Sequence, residues 1–247
     1  MNIYESKSIK EYIAGNPYVG RGIIIGRTPD AKKAVTAYFI MGRSANSRNR
    51  VFEEVKDDVM IKPFDESKVE DPSLIIYHPL RVNDKKIIIT NGDQTDTIRD
   101  FMKTGMCFQC ALRTRSFEPD APNWTPRISG LVDIEDDFTY KMSILKSANS
   151  EGTSCNRYFF EYEGLAGQGH FIHTYMTDGN PIPTFTGEPK RLLIPDNIEG
   201  TFNLTLNKML FDDQNEKALA IKENSYFWQY LSSFVKYDGK LHREFVE

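Results

Sequence analysis

The chain has 247 residues, 40% of them hydrophobic and 27% charged, a globular balance with enough apolar material for a core. Its formal net charge of -4 speaks against general nucleic-acid binding, so any anion site has to be local. No apolar run approaches the roughly 20 residues that span a bilayer, and the opening MNIYESKSIKEYIAG does not read as a signal peptide. A soluble, cytoplasmic protein with neither a nucleic-acid nor a membrane partner is therefore expected, with homo-oligomerisation left open.

In chain order, Ser8 to Ala14 reads as a short helical turn closed by Gly15 and Pro17. Tyr18 to Arg27 and Ala34 to Ile40 are strand-forming runs joined by a turn over Thr28 to Lys33. The far end of that hairpin delivers MGRSANSRNR, whose Arg43, Arg48 and Arg50 are separated by serines and asparagines and contain no acid among them. Guanidinium groups match phosphate geometry with paired donors, and short polar side chains add neutral ones, so the loop reads as an anion site. Val59 to Lys62 reads as an edge strand. Leu74 to Leu80 and Lys85 to Thr90 read as a hairpin turning at Asn83-Asp84, with Tyr77, His78 and Arg81 close together.

Ile98 to Arg115 has apolar residues near the helical period and predicts one helix capped by Thr95 or Asp96. Its start follows Asn91-Gly92 and would offer a second place for an anion. Cys107 and Cys110, a C-x-x-C, fall inside that helix rather than at its start, and Cys155 stands apart. All three cysteines therefore read as buried structural thiols rather than a zinc or redox site. Arg127 opens a strand whose partner is Phe138 to Lys146. Tyr158 to Glu163 and His170 to Met176 read as a hairpin across Gly164 to Gly169. Thr201 to Leu210 predicts a helix, Ala218 to Lys222 a strand, and Tyr226 to Tyr237 a closing helix. Hairpins with a few helices and no convincing linker make an α+β layered fold.

Five ordered motifs carry a resemblance: Tyr18 to Arg21, Arg43 to Arg50, Tyr77 to Arg81, Thr90 to Ile98 and Thr125 to Ile128. Together, as NPYVGRGIIIGRT, MGRSANSRNR, a Y-x-x-x-R segment, TNGDQTDTI and TPRI, they resemble the archaeal-type IMP cyclohydrolase family. The resemblance is good over residues 16 to 135 and looser beyond. It implies a single domain over 1–247 with a four-layer αββα sandwich like that of the N-terminal-nucleophile hydrolases, without their processed nucleophile. It also implies closure of 5-formamidoimidazole-4-carboxamide ribotide to IMP with loss of water, and no metal or cofactor. The longer inserts around Phe52 to Pro72 and after Lys146 depart from the family pattern.

That chemistry needs proximity for a poor amide nucleophile, donors for a developing oxyanion, and a proton for the departing water. Laid over the matched motifs, it assigns proton transfer to Tyr77, with Arg43 and Asn91 polarising the reacting group and Asp96 orienting it. Arg21, Ser44, Arg48, Arg50, Arg81, Thr97 and Arg127 are the expected substrate-binding residues, Arg48 and Arg50 mainly for the phosphate. A silent purine-nucleotide-binding protein and an amidohydrolase of the same fold are the alternatives.

Overall fold

A computed structural model describes residues 4–43, 47, 49–69, 76–135 and 138–196, and the backbone of 227–236 and 241–246. The elements are α1 (Ile9–Ile13), β1 (Arg21–Arg27), β2 (Lys33–Gly42), β3 (Val51–Val55), β4 (Asp58–Lys62), β5 (Tyr77–Asn83) and β6 (Lys86–Thr90). They continue with α2 (Gln94–Lys103), α3 (Phe108–Arg113), β7 (Arg127–Asp133), β8 (Thr139–Ser147), β9 (Cys155–Glu163), β10 (Gln168–His173), β11 (Lys190–Leu193), β12 (Phe227–Lys236) and β13 (Leu241–Val246).

Two antiparallel sheets result. One is six-stranded in the order β11-β10-β1-β2-β12-β13, the other seven-stranded in the order β3-β4-β5-β6-β7-β8-β9. The period of two in strands explains why they face each other. On β1, Ile23 and Ile25 enter a core shared with Val59, Ile61, Leu80 and Ile89 of the other sheet, while Ile24 faces the opposite way. Each fully buried isoleucine contributes about 1.5–3 kcal/mol by leaving water, so this run alone anchors the sheet. Ile24 packs with Ile9 and Ile13 of α1, so α1 covers the outer face of the six-stranded sheet. Ser8 starts α1 with a capping box closed by Glu11. On β6, Ile88 points outward to Ile98 of α2 and to Phe108 and Leu112 of α3, which cover the outer face of the seven-stranded sheet.

Several expectations are corrected. β4 is interior, because β3 pairs with it along Val51↔Lys62 to Val55↔Asp58 and is itself the edge. The helix expected over Ile98 to Arg115 is two helices, broken where Gly105 takes a φ of 80°. It begins at Gln94, with Asp93 at the cap position, so Thr95 and Asp96 lie in its first turn. Tyr158 to Glu163 and His170 to Met176 do not form a hairpin: β9 pairs with β8 and β10 with β1, so the glycine-rich connection passes from one sheet to the other. Tyr226 to Tyr237 contains a strand, β12, whose register runs from Phe227↔Gly42 to Lys236↔Lys33 beside β2. The aromatic residues with small ones between them fit a pleat as well as a helix, and the partner strand decides. The helix expected at Thr201 to Leu210 and the strand at Ala218 to Lys222 lie outside the described residues.

His173 closes β10, its ring stacked 4.8 Å from Phe171 and its Nδ1 2.7 Å from the Tyr175 carbonyl oxygen. Burial, opposed by that bond and reinforced by Lys190, takes its pKa from 6.5 down to about 4. The unfolded chain therefore takes up a proton between pH 6.5 and 4 that the folded chain refuses. Stability from this group is present above pH 6.5 and drains away as pH falls toward 4, by roughly 2–3 kcal/mol. Urea denaturation across that range should show a flatter pH dependence for His173→Gln than for the unsubstituted chain. Parallel curves would contradict it.

Candidate active site

The strand ends converge on one edge of the two sheets. Arg21 is the first residue of β1, Arg43 follows β2, Arg50 precedes β3, Tyr77 opens β5, Asn91 and Gly92 follow β6, and Arg127 opens β7. The registers place them at the same end: Arg21 lies opposite Ile40, Val51 opposite Lys62, Ile61 opposite Tyr77, and Thr90 opposite Ser129. The sheets are joined there by a hydrogen bond of 2.9 Å between the hydroxyls of Tyr38 on β2 and Tyr77 on β5.

Three arginines lie buried in this region, Arg21, Arg50 and Arg127, at 8%, 4% and 8% exposure. Arg21 meets the Glu118 carboxylate at 3.9 Å, a loose ion pair. Burial opposes the Arg21 charge, but Glu118 and the phenols of Tyr77, Tyr18 and Tyr175 more than compensate and hold it protonated. Glu118 responds differently. Burial raises its pKa, and the opposing pull of Arg21, Arg127 and Arg50 does not cancel the effect. Arg21 is charged, with Glu118 one of its several electron-rich neighbours. Arg50 is the less comfortable cation: burial lowers its pKa, and the field of Arg21 adds to that. Its Nε and Nη1, and the Nε of Arg21, have no hydrogen-bond partner among the described residues. A buried donor normally finds a partner, and a buried charge nearly always does. Two incompletely bonded guanidiniums beside a tyrosine pair are a donor set that an anionic or strongly polarised oxygen would satisfy.

An adjoining cleft of about 260 Å³ is lined by Tyr18, Arg21, Arg43, Ser47, Thr125 and Tyr175, among others. Tyr18 and Tyr175 stack at 5.6 Å, and the Arg43 guanidinium sits 5.9 Å above the Tyr18 ring. Arg43 Nη1 donates to Asp178 Oδ1 and to the Gly179 carbonyl, both at 2.8 Å, which fixes it at the rim. Behind this wall Thr125 accepts the Tyr175 hydroxyl or donates to it, and its N–H donates to Asp120 at 2.6 Å. Burial pushes the Tyr175 phenol up, so it stays neutral.

The back of the cleft depends on Gly20, whose φ of 75° favours glycine. A Cβ there would also come within 2.6 Å of the Tyr175 ring. Gly20→Ala should cost about 2–4 kcal/mol, combining a left-handed alanine with overpacking. A thermal melt checks it, and an unchanged midpoint would mean that Tyr175 moves freely.

Of the residues expected from sequence, Arg21, Arg50 and Tyr77 share one electrostatic neighbourhood, Arg43 lines the cleft with Arg21, and Arg127 joins through Glu118. Arg127 Nη1 is held by Gln94 Oε1 and Asp93 Oδ1, each at 2.7 Å. Asn91 is at the right edge, but the fold uses its amide: Nδ2 donates to Pro126 O, and Oδ1 accepts from Ile128 N and Gln94 Nε2. Arg81 and Asp96 do not join. Arg81 pairs with Asp58 at 2.7 Å and Asp96 at 2.8 Å, and it lies opposite Ile88, whose side chain faces the helices. Thr97 is half-buried on α2. Ser44 and Arg48 lie outside the described residues. Glu118, Tyr38 and Asp120 were missed. Tyr38 looks like core in its strand, and the one signal for the two acids is their place in FEPDAP just before the TPRI motif.

A model of the IMP cyclohydrolase-like protein family matches residues 18–224. Proteins named IMP cyclohydrolase are similar to this chain: 32% identical over 116 residues in Methanococcus aeolicus, 32% over 122 in Methanopyrus kandleri and 31% over 119 in Methanocaldococcus jannaschii. These alignments cover 45%, 48% and 47% of this chain and 56%, 60% and 57% of those relatives, so the chain spans little more than half of their length. With the family match running over most of its residues, the chain belongs to the IMP cyclohydrolase-like protein family.

Proposed function

We propose that this protein is an IMP cyclohydrolase that closes the ring of 5-formamidoimidazole-4-carboxamide ribotide with loss of water. The observation that carries the reading is the pair of buried, incompletely bonded guanidiniums of Arg21 and Arg50 beside Tyr77. The name shared by the relatives agrees with it. In this reading the carboxamide nitrogen adds to the formyl carbon, and the formyl oxygen takes up the negative charge. Arg21 and Arg50 stabilise that oxygen, in a site where low polarity strengthens them. Tyr77 hands it a proton, and the surplus proton of the added carboxamide nitrogen supplies the second. The oxygen leaves as water, and the proton of the former formamido nitrogen returns to the Tyr77 phenolate.

The arginine roles shift accordingly. Arg50, being beside Tyr77, serves the reacting end rather than the phosphate. The phosphate is assigned to the rim, where Arg43 and Ser47 line the cleft and Arg48 follows in sequence. Arg127 holds Glu118 and the start of α2 in place. Asn91 supports the turn under them, and Arg81, Asp96 and Thr97 act as scaffold.

The four-layer αββα arrangement of the N-terminal-nucleophile hydrolases belongs to the same proposal. The placement of α1 outside one sheet and of α2 and α3 outside the other supports it. So does a single domain over 1–247, since β12 near the end of the chain pairs with β2 near its beginning. A cytoplasmic setting suits a charged ribotide. Incubation of the purified chain with the formamido ribotide should give the ultraviolet absorbance change of ring closure at enzymatic rates. A chain that is stabilised by IMP yet leaves the open-ring compound unchanged would be a binder only, and the proposal would fail.

A further inference from the structure

The C-x-x-C lies outside the proposed cleft, and its surroundings differ from those the sequence suggests. The break between α2 and α3 makes Cys107 the N-cap of α3, with extended backbone at φ -84° and ψ 160°. An N-cap side chain reaches the N–H three residues on, and here that residue is Cys110. Cys107 Sγ accepts from the Cys110 N–H at 3.1 Å, which draws the two ends of the C-x-x-C together across one turn. A turn of this kind keeps its Cα atoms within about 7 Å, close to the outer limit for a disulfide. Cys107 is exposed and Cys110 half-buried, so neither is the buried structural thiol expected from sequence. The hydrogen bonds from Cys110, and to a lesser degree the charge of Arg113, lower the pKa of Cys107. Cys155 is the internal contrast: it is half-buried, and burial raises its pKa.

We propose that Cys107 and Cys110 form a redox-active dithiol that exchanges with low-molecular-weight disulfides, Cys107 attacking and Cys110 resolving. In the first step the Cys107 thiolate attacks one sulfur of the small disulfide. That S–S bond breaks, a mixed disulfide forms on Cys107, and one small thiolate leaves and takes a proton from water. In the second step Cys110 loses its proton to solvent and attacks the Cys107 sulfur. The second small thiol is released, and the Cys107–Cys110 bridge closes. Two electrons have passed from the protein to the small disulfide, with no other oxidant needed. Accessibility selects Cys107 as the first sulfur, because Cys110 sits behind it in the first turn of α3. The exchange is independent of the ring-closing reading, since α3 carries none of the cleft residues.

The test uses the full, reduced chain, incubated without oxygen in excess oxidised glutathione and quenched with acid. Remaining thiols are alkylated and the peptides mapped by mass. The unsubstituted chain should yield a Cys107–Cys110 bridge and reduced glutathione. Cys110→Ser should stop at a glutathione adduct on Cys107. Cys107→Ser keeps a good capping hydroxyl, so it should fold normally but react at least about tenfold more slowly at neutral pH, having lost its most accessible thiolate. A lasting glutathione adduct on Cys107 with Cys110 intact would overturn the proposal. So would a Cys155 that reacts as fast as Cys107, or a Cys107→Ser variant that exchanges at the unsubstituted rate.

Discussion

Arg50→Met should cut kcat for ring closure by about 10²–10³-fold, the range seen when one donor to a developing oxyanion is removed. The same substitution should raise the melting temperature of the ligand-free protein. Arg50 is 4% exposed, with Nε and Nη1 unsatisfied and Arg21 adding repulsion. Replacing a buried charge that lacks full compensation by an apolar side chain of similar length stabilises by about 1–4 kcal/mol. Opposite movement of activity and stability distinguishes a group held in readiness for a ligand from one that merely supports the fold. A structural arginine would lower both. The paired measurement is a kinetic assay with a thermal melt on the same preparation, and a fall in both quantities would remove Arg50 from the site.

Tyr77→Phe should lower kcat by about 10²–10⁴-fold while leaving KM nearly unchanged, because a proton donor acts mainly in the transition state. The Tyr38 hydroxyl loses its partner in that variant. Tyr38 is fully buried, and burial pushes its phenol well up, so it is a neutral hydroxyl held 2.9 Å from Tyr77. An orphaned buried hydroxyl costs about 1–3 kcal/mol, so the single variant should melt lower. Adding Tyr38→Phe removes both hydroxyls and should restore much of that stability without restoring turnover. Normal kcat in Tyr77→Phe would transfer the proton to another group, with Glu118 the next candidate because burial raises its pKa.

What was legible in the sequence was local. The β1–β2 hairpin, the arginine loop at its tip and the strand opening at Arg127 each declared themselves through strand-forming runs and turn residues. What was not legible depended on partners far away in the chain. β12 has a pattern compatible with either period, and only pairing with β2 makes it a strand. β9 and β10 are neighbours in sequence yet belong to different sheets. The same limit applies to the site. Arg81 sits in a family motif four residues after Tyr77, where alternation alone would keep both on one face. The irregular register between Tyr77 and Leu80 turns it instead to the outer face, where Asp58 and Asp96 neutralise it. Glu118 lies in a proline-rich loop and gains its meaning only from arginines delivered by three different strands. Cys107 looked mid-helical because the apolar period runs on past Gly105, whereas the positive φ of Gly105 ends α2 and lets a new helix start at the cysteine.

The most direct measurement is a crystal structure of the protein grown with IMP. The purine should lie with the carbon of the newly closed bond at the Tyr77 hydroxyl, between Arg21 and Arg50, and with its phosphate toward Arg43 and Ser47. A nucleotide seated against α2 beside Arg81 and Asp96, with the Arg50 guanidinium still unengaged, would contradict the account.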